Sequence, residues 1–249
     1  MSKHKNDIYG DIKGDRQKVD SSPAIPAATV LLLKQQNAGL EVLMLHKSSK
    51  IAFGGMWVFP GGKIDAGDYE DGIDDNSAAR NAAARETTEE AGIVIPKENF
   101  VWFAHWTPPP STAKRFATWF FVTSTKEDHD INIDGFEIQN HQWISPHAAL
   151  DQHAAGDIDL APPTWVSLYH LSKFHSVHQA ISTLSDLTPR YYQTHVVQDK
   201  DGNRVALWDG DAGYSDWNAD RSGLTHRLTM RKGGFEFEHS AIDYSGSSD

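Results

Sequence analysis

The sequence predicts a mixed α+β protein, and three features carry that prediction. Strand-like segments come in groups instead of alternating one for one with helices. A single alanine- and glutamate-rich segment, 77–91, reads as a strong helix stopped by Gly92. Beyond Pro189 the pattern returns to strands. At 249 residues the chain has room for one large domain or two small ones around a sizeable core.

Taken in order, residues 1–24 are polar and charged without periodicity and are expected to form a flexible tail. Residues 28–34 are β-branched and leucine-rich, and 41–46 form a second such run. The Asn37, Ala38, Gly39 turn between them marks a hairpin. Residues 53–67 are glycine-rich and contain Phe59, Pro60, Gly61, Gly62. The helix over 77–91 has Ser77 as its expected cap. Strands are expected at 100–106, 115–124 and 136–144, the second rich in aromatic and β-branched residues. Pro146 opens a short helix to Leu150, and Pro162, Pro163, Thr164 lead into one apolar helix over 165–184. Further strands are expected at 191–198, 204–207, 225–230 and 234–239. Segment 208–223 is a connection rich in Asp, Gly and Asn, and within it residues 209–214 are expected to form a turn in contact with a cleft, or else an active-site lid. The expected division is a domain over 25–185 followed by a β-rich extension, 186–249, packed on it or continuous with it.

Composition excludes several classes. With 34 acidic against 23 basic side chains, the net charge of −11 argues against a nucleic-acid or anionic-membrane binder. The absence of cysteine excludes disulfides, thiolate zinc sites, iron–sulfur clusters and a cysteine nucleophile. No apolar run reaches the ~20 residues of a membrane helix, and neither a signal core nor a Ser-Lys-Leu address is present, so a cytoplasmic protein is expected.

Chemistry concentrates in Arg85, Glu86, Thr87, Thr88, Glu89, Glu90, Ala91, Gly92, Ile93. On a helix, Glu86, Glu89 and Glu90 share one face, and each like-charged pair costs about 0.2–0.5 kcal/mol. The segment is either a solvated acidic face or a site for a hard divalent cation, which reverses the sign of that term. Upstream, the Gly61–Gly62 turn follows an aromatic segment and lets backbone approach a metal or a phosphate closely.

Together these stretches resemble the Nudix hydrolase signature: Gly, five residues, Glu, seven residues, then Arg-Glu-apolar-x-Glu-Glu-x-Gly-apolar. Gly62 matches its first position and 85–93 its second half, with Thr87 at the apolar position. Asp68 stands where the signature has Glu, and the following gap is sixteen residues long, 69–84, through an acidic insertion. Further residues are similar to the branch containing the peroxisomal coenzyme A diphosphatases. These are Phe59 to Gly62, Ile64 to Ala66, Thr107, Pro108, Arg115, Phe116, Thr118, Phe120, Phe121, Trp143, Pro146, Leu150 and Pro162 to Thr164. The basic motif of that branch is matched only in part, by Lys47, Ser48, Lys50 and Gly55.

The resemblance implies an α/β/α sandwich with a mixed sheet and a loop–helix–loop catalytic motif. It implies a metal-dependent hydrolase that cleaves the diphosphate of a nucleoside diphosphate linked to another moiety, by in-line attack of water. Coenzyme A or an acyl-CoA is the leading substrate; ADP-ribose, a dinucleotide, or a catalytically silent ligand sensor are the alternatives. By position, Glu86, Glu89, Glu90 and the Gly62 carbonyl would hold Mg²⁺ or Mn²⁺, with Glu89 shared between ions. Arg85 would pair with a carboxylate to orient the helix, with Gly61 and Gly92 also structural, and the insertion is expected to weaken any role of Asp68. Glu137 is the candidate general base or extra ligand, with Glu86 and His141 as the other candidates. Lys47, Lys50 and Arg115 are candidate phosphate partners, and Trp57, Trp102, Trp106, Trp119 and Phe121 are either core or base-stacking residues. His175 and His178 are expected to be ordinary residues. The partner is a small nucleotide-type diphosphate, and a homodimer is compatible with the chain.

Overall fold

The structure, a computed structural model, describes residues 23–244 except 38, 50–52, 71, 111, 113–114, 127–128, 134 and 232. The expected tail through residue 22, Ala38 of the expected hairpin turn, and Lys50 therefore lie outside the described residues. Twelve strands and four α-helices are present among the rest. The strands are β1 (Ile25–Gln36), β2 (Gly39–Lys47), β3 (Trp57–Val58), β4 (Gly61–Lys63), β5 (Val101–Thr107), β6 (Phe116–Thr125), β7 (Ile138–Ile144), β8 (Arg190–Gln193), β9 (His195–Gln198), β10 (Arg204–Leu207), β11 (Arg227–Arg231) and β12 (Gly234–Glu238). The helices are α1 (Asp75–Ala91), α2 (Pro146–Ala155), α3 (Pro162–Leu171) and α4 (Val177–Asp186).

The first eight strands form one mixed sheet in the order β3-β2-β1-β6-β5-β8, with β4 paired to β1 and β7 to β2. The parallel β1–β6 pair at its centre runs from Ile25 opposite Phe116 to Lys34 opposite Thr125. Alternation along β1 sorts its side chains. Val30 and Leu32 face α1, while Leu31 and Leu33 face the other layer. The α1 side is covered by small residues, Ala78, Ala79, Ala82 and Ala83, all fully buried. Side chains that short bring the helix axis close to the sheet, which later sets the position of its carboxylates. The opposite face packs under α2, α3, α4 and a second, four-stranded antiparallel sheet, β12-β11-β10-β9. The α+β class and the sandwich expected from the sequence are what the chain adopts.

Four local expectations are corrected. Helix α1 starts earlier, because the Asp74 carboxylate accepts from Ser77 N–H at 2.8 Å and takes the cap that Ser77 was expected to provide. The single helix over 165–184 is two helices. Ser172 Oγ donates to the Tyr169 carbonyl at 2.7 Å at the end of α3, and Ser176 caps α4 through Gln179 N–H. The single strand over 191–198 is two strands, β8 in the main sheet and β9 in the second, broken at Thr194. No residue of 208–223 reaches the cleft described below; the segment folds around Asp211, whose carboxylate takes both arms of Arg227 at 2.6 Å. No helix among the described residues is long and apolar enough to cross a membrane.

Two buried histidines make this packing sensitive to acid. His170 on α3 is pushed down to about 4 by burial, with the charges of Arg190 and Lys173 adding. His226 is pushed down to about 4, again mainly by burial, although the Asp209 carbonyl opposes the shift. Both are neutral in the fold, so the unfolded chain takes up protons first, near its ordinary pKa of about 6.5. Stability is full above that value and falls as pH drops from about 6.5 to about 4, by up to about 3 kcal/mol for each group. Urea midpoints at pH 7.5, 5.5 and 4.5 should fall in that order, with a shallower decline in His170→Gln; equal midpoints would contradict the assignment.

Candidate active site

The site is built where α1 meets the strand pair β1–β4. Gly61 has φ +157, and a Cβ there would strike the Ala28 carbonyl and Thr29. A Cβ at Gly62 would run into the Glu86 carboxylate. Gly61 is thus required where β4 passes beneath the helix, and Gly62 leaves the space that the Glu86 carboxylate fills. Gly92, in the left-handed conformation at φ +71, ends α1 and donates to the Thr88 carbonyl.

Arg85 is the hub. Its Nε and Nη2 donate to the two oxygens of Asp68 at 3.0 and 2.8 Å, Nη2 also reaches the Lys63 carbonyl at 3.0 Å, and Nη1 donates to Glu86 at 2.9 Å and Glu89 at 3.1 Å. Asp68 is 5 % exposed and accepts in addition from Asp65 N–H at 2.8 Å. Burial pushes its carboxyl up, but the hydrogen bonds from Arg85 and Asp65 and the guanidinium charge outweigh that and hold it below the usual range. The insertion therefore does not detach Asp68 from the helix. The carboxylate expected to lose its role is the partner that Arg85 was expected to find. The same bonds raise the pKa of Arg85, and so keep it charged.

The glutamates differ in environment. Glu90 is 4 % exposed; Oε2 accepts from Gly61 N–H at 2.9 Å, and Lys47 Nζ stands 3.1 Å from Oε1 without hydrogen-bond alignment. Burial pushes its carboxyl up to about 6 against the opposing charge of Lys47. Glu86 is also raised by burial, with Arg85 opposing and Glu89 adding. Glu89 reaches toward solvent. All three line a cleft of about 600 Å³ together with Gly61, Gly62, Lys47, Lys63, Arg85 and Glu137.

A divalent cation fits this donor set in kind. It wants several hard oxygens, and here two carboxylates are raised by burial and one buried oxygen of Glu90 lacks an aligned donor. Among the described residues no three acidic or histidine side chains converge on one point. The reason is visible in the contacts: Arg85 draws Glu86 and Glu89 to one side, while Gly61 and Lys47 hold Glu90 on the other.

The structure gathers some expected residues and separates others. Glu137, exposed at the start of β7, lines the cleft, and its carbonyl accepts from Ser48 N–H at 2.8 Å. Lys47 lies in the cleft but faces Glu90. Arg115 and His141 do not line it; Arg115 holds Ile25 N–H through its carbonyl, and His141 pairs with Leu45 inside the sheet. Of the five aromatic candidates only Trp106 reaches the cleft. His175 and His178 are exposed. Thr107, Thr118, Thr164 and Thr194 also line the cleft and were not singled out as site residues, because a threonine in a strand, a helix or a strand break carries no distinguishing signal in sequence.

Comparison with known proteins follows the same outline. Residues 23–163 match the family described as NUDIX domain, and the chain belongs to that family. A Caenorhabditis elegans protein named, provisionally, nudix hydrolase 7 is 26 % identical over 192 residues, which span 63 % of this chain and 63 % of that protein. The crystal structure of a NUDIX hydrolase from Alicyclobacillus acidocaldarius superposes with a TM-score of 0.59 at 22 % identity, covering 68 % of this chain and all of that one. The NUDIX domain of Shewanella oneidensis NrtR, solved with ADP ribose, is also similar, at 17 % identity and a TM-score of 0.47 over 59 % of this chain and 86 % of that one.

Asp68→Ala should lower stability by about 2–4 kcal/mol, because it strands the guanidinium among groups arranged for it. Arg85→Lys should cost nearly as much, since an ammonium cannot replace the two-armed contact with Asp68. Chemical denaturation reads both, and a loss below about 0.5 kcal/mol in either would show that the clamp is dispensable.

Proposed function

We propose that the chain is a divalent-metal-dependent diphosphatase acting on a nucleoside diphosphate joined to another moiety, with coenzyme A or an acyl-CoA as its substrate. The observation that carries the reading is the placement of Glu86, Glu89 and Glu90 on one helix, against the Gly61–Gly62 turn and inside a cleft of about 600 Å³. The coenzyme A assignment draws on the resemblance of residues 59–68, 107–121 and 143–164 to that branch. It is the finer part of the proposal.

In this reading Glu86, Glu89, Glu90 and the Gly62 carbonyl hold Mg²⁺ or Mn²⁺, which supplies charge neutralisation at the diphosphate and acidifies water. Without added positive charge, three carboxylates in a chain of net charge −11 would repel the substrate. Lys47 and Lys63 both line the cleft and can pair with phosphate oxygens. Glu137 faces the cleft from β7 and takes the proton of the attacking water. Arg85 serves by position, holding the helix carboxylates against the loop that carries Asp68. Attack in line on one phosphorus then releases two phosphate monoesters; for coenzyme A these are 3′,5′-ADP and a phosphopantetheine.

Phosphate-product release should be measured with Mg²⁺, with Mn²⁺ and with EDTA on coenzyme A, an acyl-CoA, ADP-ribose, NADH and a diadenosine polyphosphate. Metal-dependent cleavage of the coenzyme A compounds is expected. Turnover confined to another member would keep the chemistry and discard the substrate, while ligand-induced stabilisation without turnover would favour a sensor. Glu89→Gln and Glu90→Gln should each reduce kcat by about 100-fold or more while the fold persists, as loss of a major electrostatic contributor does.

A further inference from the structure

Besides the carboxylates, the lining of the cleft includes Trp106, Thr107, Thr118, Thr164 and Thr194, side chains that carry no charge. Two of these, Thr164 and Thr194, lie beyond the residues matched by the NUDIX family. Thr194 occupies the break between β8 and β9, where the chain leaves the main sheet for the second one. Its backbone N–H donates to the Thr107 carbonyl at 3.0 Å, fastening it to the end of β5. Its hydroxyl oxygen accepts from the fully buried Trp208 indole N–H at 3.1 Å.

That second bond matters for recognition. A threonine hydroxyl has one proton to give and two lone pairs. The indole of Trp208 uses a lone pair, and among the described residues the proton of Thr194 has no acceptor. The β-branched side chain is stiff about χ1, so the hydroxyl oxygen is fixed in place while its proton can turn toward an acceptor. Trp106 beside it is held flat on Tyr192, with ring centroids 3.7 Å apart and planes 1° apart, and edge-on to Trp208 at 5.5 Å. Its own indole N–H is buried and has no partner among the described residues. A donor without an acceptor at the lining of a cleft selects for an acceptor.

Resting on the diphosphatase reading, we infer that Thr194 is a specificity-determining residue that donates a hydrogen bond to an uncharged acceptor, an amide carbonyl or a nucleobase ring nitrogen, on the part of the substrate away from the diphosphate. The second sheet is then part of the substrate site, because Trp208, just after β10, is what orients the hydroxyl. A site built to hydrogen-bond a substrate group discriminates strongly, since an unmatched ligand leaves buried donors unpaired.

The test compares Thr194→Val, which replaces the hydroxyl with a methyl of similar size, and Thr194→Ser, which keeps it. Three substrates are used with Mg²⁺: coenzyme A, ADP-ribose and the methyl ester of ADP. Thr194→Val should lose about 10- to 100-fold in kcat/KM, mostly through KM, and Thr194→Ser should stay within about threefold of wild type. A loss confined to coenzyme A places the contact on the pantetheine amides; an equal loss on all three places it on the adenine. A merely structural role, in which the hydroxyl only accepts from Trp208, shows instead as a lowered unfolding midpoint of Thr194→Val with kcat falling and KM unchanged on every substrate, and overturns the inference. So does wild-type kcat/KM for Thr194→Val on every substrate. If Thr194→Val does not fold, Thr194→Ala removes the same hydroxyl and is read in the same way. Failure of the wild type to cleave any of the three overturns the diphosphatase reading first and this assignment with it, so the two failures are distinct.

Discussion

The two-armed contact between Arg85 and Asp68 is the constraint on which the site depends. Three glutamates at helical spacing destabilise their own helix, and of these Glu90 is buried and Glu86 half-buried. A guanidinium bonded at once to Asp68, Glu86, Glu89 and the Lys63 carbonyl offsets that repulsion and ties α1 to the loop before it. The backbone contributes at the same point: Gly61 N–H donates to Glu90, and Gly62 leaves the space that Glu86 fills. Helix, loop and strand are thereby locked into one geometry before any ligand arrives. Such preorganisation is what electrostatic catalysis requires of a protein.

A second dependence runs through the other face of the sheet. The strand expected to be continuous over 191–198 divides at Thr194, and the two halves join different sheets. Trp106, Tyr192, Trp208, His226 and Tyr244 pack against one another across that division, with Tyr244 Oη within 2.7 Å of Tyr192 Oη and 2.9 Å of His226 Nε2. This aromatic layer joins the second sheet to the wall of the cleft. Stability of the extension and shape of the site are consequently one problem, not two.

The central elements were legible in the sequence because each is specified locally. The strand runs over 28–34 and 115–124 carry β propensity, 77–91 carries helix propensity and a glycine stop, and the Gly-Gly turn with Arg85, Glu86, Glu89 and Glu90 carries chemistry at fixed spacing. From these the α+β sandwich and the NUDIX family follow. Where the reading went astray, a local competitor decided the outcome. Ser172 and Ser176 ended one helix and started another, and Asp74 displaced Ser77 as a cap. Segment 208–223 turned inward on the Asp211–Arg227 pair instead of toward the cleft.

What the sequence by itself determined is the kind of residue at the site and the helix that presents it, since periodicity and a fixed motif act over a few neighbouring positions. Only the tertiary structure decided which groups meet across long separations. Asp68 keeps Arg85 although sixteen residues intervene, because the guanidinium's two bonds join the residue before the insertion to the helix after it. Lys47 faces Glu90, Arg115 stays off the cleft, and Thr194 enters it from beyond the NUDIX stretch. Each of these outcomes is set by the packing of sheets and helices, whose contacts join residues far apart in the chain and leave no periodic trace along it.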